Sequence, residues 1–298
     1  MCAKCAEGLK RETGKQKGYN EQERTGRKMK EYDTQEERLE FLVEAFKEDS
    51  GKYRDLKTPE STEEKRVLLR SLMNIRMPGK LPEKVLSVQD SYLQRRNSEK
   101  GIVTVDEIPL AEEGISVWQG DITRLEADAI VNAANSQMLG CFVPMHTCID
   151  NCIHTYAGVQ LRQECAEKMA ELKKRYGEDY EQPTSVPLLT KGYNLPAKNV
   201  IHVAGPVVEY RLTERNEKEL ADCYRNVLDL CRDNGLKSVA FCCISTGVFR
   251  FPNERAAEIA VKTVREWRKA NPGAVDRVIF NVFKDTDRRY YEQELGKE

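Results

Sequence analysis

The sequence predicts an α/β domain, with a mostly parallel sheet and helices on both faces, preceded by a purely helical segment. Three observations carry this. Short apolar runs recur at Ile115–Trp118, Ala129–Ala133, Val186–Thr190, Val200–Val203, Val239–Ile244 and Val278–Val282. Amphipathic stretches of helical period lie between several of them, and that alternation asks for parallel strands joined by crossover helices. Ahead of residue 101 the apolar period is helical throughout.

The helical segment, 33–100, divides into three. Thr34 and Glu37 have the spacing of a capping box, after which Leu39, Leu42, Val43 and Phe46 fall on one face. Ser61 and Glu64 mark a second start, leading into Val67, Leu68, Leu69, Leu72 and Met73. Pro82 suits the first turn of a third helix carrying Val85, Leu86, Gln89 and Leu93. Short helices are marginal alone in water, so these stripes are expected to pack on the domain that follows, 101–298. Within that domain a helix is expected from about Glu217 to Asn234. Leu220, Tyr224, Val227, Leu228 and Cys231 would face inward and Gly235 would supply the left-handed stop. Another follows Asn253, burying Ala257, Ile259, Ala260, Val264 and Trp267.

Composition narrows the possible functions. With 40% hydrophobic and 33% charged residues the chain reads as a soluble globular protein. A net charge of −1 gives no reason to expect nucleic acid or an anionic membrane as partner. Residues 1–32 are polar and aperiodic, with a basic excess, and read as a disordered basic tail. No run of about 18 apolar residues is present, nor a signal-like apolar N-terminus, so the expected compartment is cytoplasmic. Ten cysteines in that setting point to packing or metal binding rather than disulfides. Cys2-x-x-Cys5 has no second pair nearby and supplies too few ligands for a zinc site.

In parallel sheets ligands sit at the carboxyl ends of the strands, which singles out three loops. Asp121, in Gln119-Gly-Asp-Ile122, can accept from an exocyclic amine such as adenine's. Asn132 and Asn135, separated by two alanines, can turn back and address a sugar's hydroxyls, or simply form Asx turns. Ser245-Thr-Gly-Val-Phe-Arg-Phe-Pro252 joins a strand to a helix. Such a turn offers unobstructed backbone N–H groups at a helix N-terminus, a cradle for pyrophosphate. Phe249, Phe251 and Phe283 are candidates for an apolar wall, and Phe251 is equally readable as core.

In order along the chain stand Gly120-Asp-Ile-Thr123, Asn132-Ala-Ala-Asn135, Asp150-Asn-Cys-Ile-His154 and Ser245-Thr-Gly-Val-Phe249. Together they resemble the macrodomain family. The resemblance implies a three-layer α/β/α sandwich on a mostly parallel, mixed sheet, and a site for ADP-ribose. It implies that Asp121 and Phe283 hold adenine, that Asn135 orients the distal ribose, that Ser245, Thr246, Gly247, Val248 and Phe249 cradle the pyrophosphate, and that Ile122 and Asn132 also line the ligand.

One segment departs from the common pattern. Where most macrodomains carry a run of glycines, this chain has Leu139-Gly-Cys-Phe-Val-Pro-Met-His-Thr-Cys-Ile149. Cys141, His146 and Cys148 are ligand types that Zn2+ prefers, and three ligands leave one tetrahedral position open, as in catalytic sites. The insertion is similar to a zinc-containing branch of macrodomains whose members look like protein-ADP-ribose hydrolases. The implied activity is removal of mono-ADP-ribose from a modified protein, with free ADP-ribose as product, Asn135 orienting the ribose and Asp150 as general base or aiming group. Zinc would activate water or engage a ribose hydroxyl; both readings stand at this stage. So do a reader module without turnover, an O-acetyl-ADP-ribose deacetylase, and a structural zinc closed by Cys152. Cys152 is otherwise read as core packing, as are Cys165, Cys223, Cys231, Cys242, Cys243, His154 and His202.

Overall fold

In the computed structural model the chain is described from residue 32 to residue 296; the expected tail and the Cys2/Cys5 pair fall outside the described residues, apart from Tyr32. The described residues from Asp33 on form one compact unit.

Three helices come first: α1 (Gln35–Ser50), α2 (Thr62–Ile75) and α3 (Glu83–Glu99). Thr34 and Glu37 close a reciprocal capping box on α1, and the Ser61 hydroxyl caps α2. Pro82 sits at the cap of α3 rather than in its first turn. Leu39, Leu42, Val43, Phe46, Leu69, Leu72, Met73, Val85, Tyr92 and Leu93 make a core of their own. Each buried aliphatic or aromatic side chain there contributes about 1.5–3 kcal/mol. Val67, expected inward, is 41% exposed. Leu69 and the pair Leu72–Met73 already fill the buried stripe, so Val67 is left at its edge.

The rest of the unit alternates strands and helices. In order come β1 (Val103–Thr104), β2 (Ile115–Gln119), β3 (Leu125–Glu126), β4 (Ala129–Ala134), α4 (Ile149–Ala157), α5 (Val159–Tyr176), β5 (Leu188–Lys191) and β6 (Asn199–Ala204). Then follow α6 (Glu214–Asp233), β7 (Ser238–Phe241), α7 (Asn253–Ala270), β8 (Arg277–Val282) and α8 (Asp285–Leu295). Six strands form the main sheet in the order β2-β8-β7-β4-β6-β5, while β1 and β3 make a two-residue ladder apart. Every pairing in the main sheet is parallel except β5 with β6, so the sheet is mixed but mostly parallel. Strand β5 starts at Leu188, and Val186, expected within it, is exposed. The run expected to Ile244 leaves regular pairing after Phe241.

Both sheet faces are covered. Asn132 on β4 reaches Asp150 on α4, and His202 on β6 reaches Cys165 on α5. The alternate residues Val131, Ile201 and Val203 are fully buried as well, as strand periodicity requires when helices lie on the other face. There α6, α7 and α8 pack side by side. The predicted inward residues of α6 and α7 are all buried, and Gly235 adopts φ +66° after α6.

Arg162 on α5 ties the first three helices to this layer. Its Nη1 donates to the carbonyls of Met73, Asn74 and Arg76 at the end of α2, at 3.2, 2.9 and 2.6 Å. Its Nε donates to Leu139 O at 2.8 Å and its Nη2 to Cys141 O at 3.4 Å. The last turn of α2 has no basic residue of its own, so Arg162 serves the carbonyls that a helix end leaves unpaired. Arg162→Met is predicted to destabilise the protein by about 3–5 kcal/mol, because five carbonyls lose a buried charged donor. Urea denaturation monitored by circular dichroism measures it.

Candidate functional site

Strands β2, β4, β7 and β8 run parallel, so the loops after them emerge along one edge. That edge gathers almost every residue singled out in the sequence. β2 and β8 are neighbours in register, Gln119 opposite Val282, which brings Asp121 and Phe283 off the sheet side by side. The Phe283 ring is 76% exposed. Asp121 caps a 3-10 turn (Ile122–Arg124): its Oδ1 accepts from the Thr123 N–H at 3.0 Å and hydroxyl at 2.6 Å. Its Oδ2 meets Lys100 Nζ at 2.6 Å. Burial alone would raise this carboxyl, but Lys100 and Thr123 outweigh it and hold it below the usual carboxylate value. Ile122 is buried in the core, which leaves only its backbone to face a ligand.

The loop after β7 has the form its composition suggests. Ser245 adopts φ 64° and Arg250 φ 59°, and Phe251 N–H closes the loop on Ser245 O at 3.0 Å. Arg250 N–H bonds Gly247 O, and Thr246 N–H turns back on Cys243 O. Among the described residues, the backbone hydrogen bonds of this loop do not use the N–H groups of Gly247, Val248 and Phe249. Ser245 Oγ is buried without a partner. It lies where a Cβ on residue 205 would come within 2.1 Å, so only Gly205 fits beside it. Helix α7 begins two residues after Phe251 and points its N-terminus at the loop. Val248 is 74% exposed and Phe249 half-buried, whereas Phe251 is core.

The two asparagines after β4 divide their work. Asn135 is half-buried; its Oδ1 accepts from Gln137 N–H at 3.0 Å and its Nδ2 reaches Gly140 O at 3.4 Å. Asn132, expected at a ligand's sugar, has no exposed surface. Its Nδ2 instead donates to Asp150 Oδ1 at 2.7 Å and lies 3.0 Å from His202 Nδ1. The far side of His202 meets the Thr190 hydroxyl at 2.9 Å, so Asn132 heads a buried chain that fixes Asp150 from below. Asp150 itself is 5% exposed, and among the described residues its Oδ2 has no hydrogen-bond partner. Burial pushes this carboxyl up to about 6, with Asn132 and Arg162 opposing. His154 Nε2 lies 3.6 Å from Asp150 Oδ1 without forming an ion pair. Burial, then the charges of His202 and Arg162, hold this imidazole well below its usual pKa.

Cys141, His146 and Cys148 converge: their ligand atoms all lie within 4.8 Å of one another. Zn–S near 2.3 Å and Zn–N near 2.0–2.1 Å at tetrahedral angles set an S···N edge of about 3.6 Å. Cys141 Sγ lies 3.6 Å from His146 Nδ1, so this edge fits a tetrahedral metal without adjustment. All three residues are half-buried. Cys148 caps α4, two residues before Asp150, which sets the cluster beside the carboxylate. Gly140 precedes it at φ +80°, with the His154 ring 2.7 Å from where a Cβ would stand.

Cys152 departs from both readings made of it. It is half-buried rather than core, it is outside the Cys141–His146–Cys148 group, and its Sγ lies 3.8 Å from Arg70 Nη2. Cys243 is likewise half-buried at the sheet's edge, its thiol toward Asn281 O at 3.7 Å. Cys165, Cys223, Cys231, Cys242, His154 and His202 are buried.

Comparison with known proteins bears on the family and the fold. The Macro domain family model matches residues 131–260. A protein-ADP-ribose hydrolase of Treponema medium is 47% identical over 262 residues, covering 87% of this chain and 98% of that one. The chain belongs to the macrodomain family. A protein-ADP-ribose hydrolase of Staphylococcus aureus strain Mu50 is 42% identical, covering 88% of this chain and 96% of its own. Among solved structures, the Trypanosoma brucei macrodomain in complex with ADP-ribose superposes with a TM-score of 0.58 at 30% identity. It covers 80% of this chain and 97% of that one.

Sequence reasoning assigned no role to Lys100, Arg70, Asn74, Asn151 and Arg162, although Asn151 stands inside the Asp150–His154 motif and Asn74 inside the Leu72-Met-Asn-Ile-Arg76 stretch that shares the resemblance. The Asn132 chain generates a prediction. Asn132→Ala leaves Asp150 and His202 without their shared amide and is expected to cost about 1–3 kcal/mol. Asn132→Asp, nearly the same size, sets two buried carboxylates face to face and is expected to cost more. Urea melts of the two variants rank them.

Proposed function

We propose that this macrodomain is a zinc-dependent hydrolase that removes mono-ADP-ribose from modified proteins. The convergence of Cys141, His146 and Cys148 beside Asp150, at the carboxyl end of β4, carries the reading. Binding alone needs only amides and glycines, whereas three half-buried soft ligands, one short of a tetrahedron, suit chemistry. The names of the relatives from Treponema medium and Staphylococcus aureus support the reaction class. The Trypanosoma brucei complex supports ADP-ribose as ligand.

The ligand lies along the strand ends. Phe283 offers an exposed ring to the adenine face, and Asp121, charged and partly open, accepts from its exocyclic amine. The N–H groups of Gly247, Val248 and Phe249 hold the pyrophosphate at the α7 N-terminus, with the Ser245 hydroxyl beside them. Asn135 turns toward the distal ribose. This order puts the ribose C1 next to the 139–148 loop and Asp150. A bound zinc ion supplies Lewis acidity there. Asp150, fixed through Oδ1 by Asn132, presents Oδ2 to accept a proton from the attacking water or to aim it. Water oxygen joins C1, the bond from C1 to the protein side chain breaks, and the freed side chain takes the proton. No helix among the described residues is long and apolar enough to cross a membrane, and the eight described cysteines are all free. Free thiols fit a cytoplasmic setting, where they stay reduced and able to ligate.

The test is release of free ADP-ribose from a mono-ADP-ribosylated protein, before and after chelation and zinc restoration. Release that vanishes on chelation and returns with zinc is expected. Binding of ADP-ribose without release in either form would mark a reader module instead, and deacylation of free O-acetyl-ADP-ribose alone a metabolite enzyme. Asp150→Ala is expected to lower kcat by about 10²–10⁴-fold while calorimetry shows ADP-ribose affinity changed by no more than about threefold. Equal losses in both would remove Asp150 from the chemistry.

A further inference from the structure

We infer that the N-terminal helices are part of the metal site: Asn74 and Arg70 on α2 are positioning residues that hold the 139–148 loop in its ligand-presenting form. The inference rests on the zinc reading above.

The loop's tightest feature is the turn Val143-Pro-Met-His146, closed by His146 N–H on Val143 O at 3.2 Å. Pro144 at its second position and Met145 at φ 57° in its third make it a type II pattern, where the third position favours glycine. Methionine there is strained, and the strained residue immediately precedes the ligand His146. Asn74 Oδ1 accepts the Met145 N–H at 3.1 Å, while Asn74 Nδ2 anchors to the Thr155 hydroxyl on α4 at 3.0 Å. Asn74 is 1% exposed and its bond to Thr155 is buried, so leaving its amide without partners is costly.

Arg70, one turn earlier on α2, braces the same loop. Its Nη2 donates to His146 O at 2.9 Å and to Asn151 Oδ1 at 3.0 Å. Asn151 in turn donates from Nδ2 to Cys141 O at 3.3 Å and Val143 O at 2.9 Å. The backbone groups of Cys141, Val143, Met145 and His146 are thus all held by side chains, from α2 directly or through α4. Among the described residues, the loop's own bracing is this one turn bond and the approach of Cys141 Sγ to His146 Nδ1 at 3.6 Å. Remove α2's side chains and Met145 is free to leave positive φ, which swings His146 away from Cys141.

The experiment measures zinc affinity by competition with a chromogenic chelator, on the full chain. Wild type is expected to bind one zinc. Asn74→Ala and Arg70→Ala are each expected to bind it about 10–100-fold more weakly. Their metal-free melting temperatures report folding separately, and Arg70, half-buried, carries the test if Asn74→Ala fails to fold. Adding Met145→Gly to Asn74→Ala is expected to restore affinity toward wild type, since glycine holds positive φ unaided. In Co2+-loaded protein the visible ligand-field bands should weaken in Asn74→Ala and recover in the double variant. Wild-type zinc affinity in both single variants, with folded metal-free protein, overturns the inference. A wild type that binds no zinc fails one step earlier, at the metal reading itself.

Discussion

The guanidinium of Arg162 joins two segments that are far apart in sequence, the end of α2 and the start of the 139–148 loop, inside a region closed to water. Burial draws its pKa down to about 10, with Asp150 pulling it back up. It still carries its charge at neutral pH, and it spends that charge on carbonyl oxygens. A lysine offers a point charge in place of this planar fork and cannot span five acceptors in two chain segments. Because Arg162 fixes Leu139 and Cys141 from one side, the loop after β4 has a rigid root. Because it fixes the end of α2, Arg70 and Asn74 stand where they meet the loop's far half. The ligand cluster, the helices that brace it and the carboxylate beside it therefore share one mechanical origin.

The architecture was legible where burial and periodicity coincide. Helices α6 and α7 read cleanly because one face of each enters the core and the other meets solvent. The central strands β4, β6, β7 and β8 read as mainly apolar runs, broken only by Asn132, His202 and Asn281 within them, because both faces are covered. Helix α8 did not read, since Asp287 and Tyr291 are its buried residues and neither makes a stripe. Strand β5, at the sheet edge, was misplaced for the related reason that an edge strand need not be apolar along its length. Val67, at the edge of the buried stripe of α2, and Pro82, at the start of α3, lie where one residue decides inside from outside.

At the site the types of residue were legible and their directions were not. Ser245–Phe249, Asp121, Asn135 and Phe283 all emerge at one edge because parallel strands put their carboxyl ends there. Asn132 shares its motif with Asn135, yet strand alternation turns it inward, where it becomes the support of Asp150. Phe251 is core while Phe249, two residues earlier, is half-buried; alternation would put both on one side, and the positive φ of Arg250 between them breaks it. Cys152 looked like a packing residue by its place in the motif; it is half-buried, with its Sγ 3.8 Å from Nη2 of Arg70 on α2. Contacts of that kind depend on side chains some 70–80 positions apart, and no local pattern encodes them.

The central claim is that the 139–148 loop presents two thiolates and one imidazole to a zinc ion with a fourth position open. X-ray absorption at the zinc edge, on protein purified with its metal, tests this directly. The account predicts a shell of two sulfurs near 2.3 Å and light atoms near 2.0–2.1 Å, of which one is imidazole. A shell of three sulfurs, with Cys152 drawn in to close the tetrahedron, would contradict it and make the metal a structural staple.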